Sequence, residues 1–157
     1  MTYQRPSKDE YFMQLARTVG TRSTCPKAQV GAVLVKDGSS ISTGYNGAPM
    51  GEAHCDEAGH NETHDGHCQR AVHAELNAVL QAAKHGNATN GSTLYITHFP
   101  CNNCLKAIRN AGIVEIKYET AYKNHENFIN LDFFKLHQVK VEIKEAGMKG
   151  KKKEVQF

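Results

Sequence analysis

The spacing of apolar positions changes several times along the chain, and each change marks an expected element. Tyr11, Phe12, Leu15, Ala16 and Val19 recur at helical spacing up to Gly20, after a capping-box pattern in which Ser7 is followed three residues later by Glu10. Gln29 to Val35 is short, apolar and β-branched, Lys36-Asp-Gly-Ser39 has hairpin-turn chemistry, and Ile41 to Tyr45 resumes an extended pattern, so two antiparallel strands should follow the helix. Helical periodicity returns from His73 to Lys84, with Leu76, Val79, Leu80 and Ala83 on one face and Gly86 shortly past the end. Thr93 to Thr97 reads as a buried strand, Cys101 to Asn110 as a helix ending before Gly112, and Val114 to Tyr118 as another strand. Asn124 is placed to cap a helix carrying Phe128, Ile129, Leu131, Phe133, Phe134 and Leu136, after which Val139 to Ile143 alternates as a final strand. This order predicts an α/β fold: a sheet of about five strands with helices on both faces, the later strands parallel because helical crossovers join them.

One stretch has no such period. Asn46 to Val72, 27 residues rich in Gly, His and acids, is too long for a bare connection inside a compact domain, so something other than an apolar core must fix it.

Composition bounds the class. A length of 157 residues fits one domain, expected over 1–148 with a basic tail over 149–157, and 39% hydrophobic with 22% charged residues excludes a disordered or collagen-like chain. No apolar run approaches the roughly 20 residues of a membrane helix, and the N-terminus has no signal-peptide core, so a cytoplasmic protein with no membrane partner is expected. The net charge of +3 resides in the tail, where Lys149, Lys151, Lys152 and Lys153 stand against Glu154 alone. With the rest neutral, nucleic acid is not an expected partner.

Five Cys and nine His are an unusual supply of soft ligands, and the odd Cys count argues for thiolate chemistry rather than a disulfide framework. His73-Ala-Glu75 opens one expected helix, and Pro100-Cys-Asn-Asn-Cys104 opens another after a strand. A catalytic zinc wants three protein ligands and an open position, which His73, Cys101 and Cys104 provide, and helix N-termini favour the thiolate form. Residues two apart do not share a helix face, so Glu75 can join His73 only at a site off the helix end, where its carboxylate reaches water without ligating the metal. H-x-E followed by P-C-x-x-C is the signature of the zinc nucleobase deaminases. The bland readings are a structural Cys/His zinc knot and a redox cysteine pair; neither needs Glu75. Cys25, Cys55 and Cys68 remain, two of them in the unpatterned segment, and a closed zinc held by Cys25, Cys55, His67 and Cys68 would fix that segment.

On Gln29-Val-Gly-Ala-Val33, Gly44-Tyr-Asn-Gly-Ala-Pro-Met-Gly51, His67-Cys68, His73-Ala-Glu-Leu-Asn-Ala78 and Pro100-Cys-Asn-Asn-Cys104, the chain resembles the cytidine and deoxycytidylate deaminase superfamily. Within it, the chain is similar to the deoxycytidylate (dCMP) deaminases of bacterial and phage type, from about Arg22 to Tyr122. The resemblance implies a cytidine-deaminase-like three-layer α/β/α fold with a mixed five-stranded sheet, and hydrolysis of dCMP to dUMP and ammonia, which would supply thymidylate synthesis. It gives Glu75 the proton transfers, the Ala74 N–H the base carbonyl, Asn46 the deoxyribose, and Arg22, Ser23 and Tyr122 the 5′-phosphate end. It further implies a homo-hexamer activated by dCTP and inhibited by dTTP with Mg²⁺, at a site including Gly44, Tyr45, Asn46 and Gly47. The rivals are a deaminase of cytidine or of tRNA adenosine, and a non-catalytic zinc-binding module, which would have no use for Glu75.

Overall fold

A computed structural model describes residues 3–59, 61, 68–121 and 129–141. Chain order is α1 (Lys8–Gly20), β1 (Gly31–Lys36), β2 (Ser39–Tyr45), α2 (Cys55–Ala58), α3 (Ala74–Lys84), β3 (Thr93–His98), α4 (Asn102–Asn110), β4 (Glu115–Thr120), a single 3₁₀ turn (Leu131–Phe133) and β5 (Lys135–Gln138). The strands form one mixed sheet in the order β2-β1-β3-β4-β5. Its first three strands pair antiparallel, while β3 with β4 and β4 with β5 are parallel.

The Ser7 hydroxyl accepts from the Glu10 N–H and the Glu10 carboxylate accepts from the Ser7 N–H, so α1 begins where the capping box predicted. The sheet is covered on both faces because its central strands alternate two apolar sets. Ala32 and Leu34 of β1, with Leu94 and Ile96 of β3, pack against Ala74, Ala78 and Ala82 of α3 and Leu105 and Ile108 of α4. Val33, Val35 and Tyr95 turn to the other face and meet Phe12, Met13 and Ala16 of α1. These layers are the expected α/β/α architecture. Among the described residues no helix is long and apolar enough to cross a membrane.

The C-terminal reading is corrected. Leu131–Phe133 is one 3₁₀ turn and Lys135–Gln138 a strand, where a continuing helix was expected, and the last strand ends at Gln138 rather than starting at Val139. Phe134 and Leu136, two apart, both reach the α3/α4 core, and β5 pairs in parallel from Glu115↔Lys135 to Tyr118↔Gln138. Those apolar positions fit either period, and pairing with β4 decided between them. Residues 122–128, 142–148 and the 149–157 tail lie outside the described residues. β1 begins two residues later than expected because the Asn46 side chain occupies the backbone of 28–30: its Oδ1 accepts from the Val30 N–H (2.9 Å) and its Nδ2 donates to the Ala28 carbonyl (2.6 Å).

Candidate active site

Two helix starts converge at the end of the sheet. His73 is the N-cap of α3 and Cys101 that of α4, both with extended backbone and neither side chain spent on capping. The ligand-bearing side chains are thus left to face each other, and Cys104 follows in the first turn of α4. His73 Nδ1 lies 3.6 Å from Cys101 Sγ and 3.4 Å from Cys104 Sγ. One donor atom from each of His73, Glu75, Cys101 and Cys104 lies within 4.8 Å of the others.

The donor set fits zinc. With Zn–S near 2.3 Å and Zn–N near 2.0–2.1 Å, a tetrahedral angle separates the sulfur and nitrogen ligands by about 3.5 Å. Both measured separations lie close to that edge, so His73 needs no rearrangement relative to either sulfur to receive the ion. Ligation requires two thiolates and a neutral imidazole, and of these only the Cys101 thiolate is already favoured. The hydrogen bond from the Cys104 thiol is the largest effect lowering the Cys101 thiol's pKa, and the same bond raises that of Cys104, which keeps the proton. A hydrogen bond with Cys101 is likewise the main cause that raises the His73 imidazole. Glu75 is buried, and that burial pushes its carboxyl above the usual range, the direction suited to exchanging protons near neutral pH.

Cys25, Cys55 and Cys68 form a second cluster, their sulfurs within 4.8 Å of one another, with Cys55 Sγ and Cys68 Sγ 3.4 Å apart as free thiols. Burial, helped by the neighbouring thiols, pushes Cys55 up to about 12, so its thiol is neutral until a metal displaces the proton. His67 lies outside the described residues. The cluster gathers the segment that lacked a core: Cys25 precedes β1, Cys55 opens α2, and Cys68 leads to a bridge between Gly47 and Val72.

Ala74 is the first residue of α3, where a helix N–H has no intrahelical acceptor. Arg22 is exposed just beyond α1, and the Ser23 hydroxyl donates to the Asn46 carbonyl (3.0 Å). Asn46 is buried, and its two bonds to 28–30 use half of the amide's capacity. Tyr122 lies outside the described residues. The proposed effector turn has a packing explanation. A Cβ on Gly44 would overlap the Ala74 carbonyl and the Ala78 N–H, so α3 lies backbone-to-backbone on β2. The Asn46 and Gly47 N–H groups are bound to the Val30 and Val72 carbonyls, which leaves neither for a phosphate. Asn77 is the residue sequence reasoning passed over: it was in view within His73-Ala-Glu-Leu-Asn-Ala78 but given no role, and its amide bonds backbone on two segments.

A carboxylate buried beside three soft donors at paired helix starts is the arrangement of the zinc-dependent deaminase class, and the chain shares it. Within that class it belongs to the family described as cytidine and deoxycytidylate deaminase zinc-binding region, whose model matches residues 6–120. It is 44% identical over 122 residues to ComE operon protein 2 of Bacillus subtilis, covering 78% of this chain and 64% of that protein. It is 40% identical over 124 residues to the deoxycytidylate deaminase of Mycobacterium phage D29, covering 73% and 95%. The chain spans only 38% and 40% of the length of two yeast deoxycytidylate deaminases. Among solved structures, the dCMP deaminase of cyanophage S-TIM5 in complex with dCMP and dUMP matches with a TM-score of 0.72 and 30% identity, over 87% of this chain and 100% of that one.

Proposed function

We propose that the chain hydrolyses dCMP to dUMP and ammonia at a zinc held by His73, Cys101 and Cys104. The observation that carries this reading is the convergence of Glu75 with those three donors, since a structural zinc knot or a binding module has no need of a buried carboxylate there. Relatives named as deoxycytidylate deaminases, one almost fully spanned by the alignment, support the substrate.

A bound zinc would supply Lewis acidity and a more acidic water. Glu75 takes one proton from the water that adds to C4 of cytosine and delivers it to N3, then takes the second from the resulting C4 hydroxyl and delivers it to the departing 4-amino group, so that dCMP and water become dUMP and ammonia. The Ala74 N–H donates to the base carbonyl, Asn46 meets the deoxyribose with the remaining half of its amide, and Arg22, Ser23 and Tyr122 receive the 5′-phosphate end. Cys25, Cys55 and Cys68, with His67 as the fourth ligand, would hold a second, structural zinc that fixes the 46–72 segment. Regulation by dCTP and dTTP with Mg²⁺, and the homo-hexamer that would carry it, rest on resemblance alone.

The test is ammonia release from dCMP, CMP, deoxycytidine and dCTP side by side. The reading expects dCMP to be turned over fastest; preference for deoxycytidine or cytidine would move the chain to a nucleoside deaminase, and inertness toward all four would remove the reading.

A further inference from the structure

We propose that Asn77 is a positioning residue: its amide clips the peptide entering the metal ligand His73 to the peptide entering Asn46, and so sets the spacing between the metal centre and the sugar-facing wall. The identity of that wall rests on the proposed function; the clip itself is geometric. Asn77 Nδ2 donates to the Tyr45 carbonyl at 2.8 Å and lies 3.4 Å from the Val72 carbonyl. Tyr45's carbonyl belongs to the peptide bond with Asn46, and Val72's to the peptide bond with His73. The same two segments are joined by an isolated reciprocal backbone pair, Gly47 N–H to the Val72 carbonyl (3.2 Å) and Val72 N–H to the Gly47 carbonyl (2.8 Å).

The donor is on a rigid mount. Asn77 sits one turn past His73, its own N–H bonded to the His73 carbonyl at 2.9 Å, and α3 is pressed so closely on β2 that no Cβ fits at Gly44. The residue type also matters: a primary amide carries two N–H donors and can serve two carbonyls at once, whereas an ionised aspartate of the same shape offers none and would repel both. The mechanism assigned to Glu75 and the zinc ligands makes no use of Asn77, so its role is to hold what they and Asn46 are attached to. Second-shell partners of metal sites are worth roughly 10–100-fold in metal affinity or activity, and small misplacements of a reacting geometry cost similar factors.

The experiment compares wild type with Asn77→Ala and the isosteric Asn77→Asp. Three quantities are read: the melting transition, zinc retained per chain as a chelator is raised, and kcat and KM on dCMP and CMP. Positioning predicts folded variants that release zinc at roughly 10-fold or more lower chelator concentration, lose about 10–100-fold in kcat on dCMP, and discriminate less between dCMP and CMP. Folded variants with wild-type zinc retention and an unchanged dCMP-to-CMP ratio would overturn the proposal, even if their melting temperature fell. Failure of both variants to fold would overturn it too, by assigning Asn77 to folding. If wild type itself left dCMP untouched, the substrate reading would fall while the zinc arm still decided the role of Asn77.

Discussion

Asp9, in the first turn of α1, joins the helix to the sheet through charge as well as packing. Burial alone would raise its carboxyl, but hydrogen bonds from Lys117 (2.7 Å) and the Tyr95 hydroxyl (2.5 Å) outweigh it and hold the carboxyl below its usual value. A depressed folded-state pKa contributes stability that is present above the unfolded value, near 3.9, and is lost as pH falls through the folded value. Asp9→Asn should therefore lower the melting temperature at pH 7 and flatten its decline on acidification below about pH 4, and melting curves that fall in parallel for the two proteins would contradict this. The His73, Cys101 and Cys104 cluster with Glu75 beside it was legible in the sequence because metal ligation restricts both residue type and spacing, and H-x-E with C-x-x-C leaves few alternatives. Asp9 with Tyr95 and Lys117, Asn46 with the 28–30 backbone, and Asn77 with Tyr45 were not legible, since each depends on contacts between residues far apart in sequence.

At the scale of elements, the bounds of α1, α3, α4 and β1 to β4 were readable within a residue or two, but the face of α3 was not: Ala74, Ala78 and Ala82 are buried where Leu76, Val79, Leu80 and Ala83 were expected, and Leu80 and Ala83 are exposed. The C-terminal stretch failed where Leu131, Phe133, Phe134 and Leu136 satisfied both periods, and β4 supplied the deciding partner. The room that the missing Gly44 side chain leaves is used to seat α3 on β2. Gly44→Ala should consequently destabilise by about 1–3 kcal/mol or more, because the obstructing atoms are backbone and cannot rotate away. Chemical denaturation measures this, and a change within about 0.5 kcal/mol would mean that the two elements can separate without cost.

For the whole molecule, the sheet presents two helix starts side by side at one edge, and the thiol cluster gathers the chain that leads into that edge. Sequence arithmetic predicted that the 46–72 segment needed a substitute for a core, and Cys25, Cys55 and Cys68 supply one. The purified chain should hold about two zinc ions, falling to about one in Cys55→Ser with the His73 centre still filled. Elemental analysis that finds one ion in both proteins would exclude the second site. The central claim is that Glu75 moves the protons of a hydrolytic deamination beside the metal. It is tested most directly by following the conversion of dCMP to dUMP with zinc-loaded wild type and Glu75→Gln. The account predicts turnover by wild type and a loss of roughly 10² to 10⁴ in the variant with fold and zinc content intact; a variant within a few-fold of wild type, or a wild type that leaves dCMP unchanged, would contradict it.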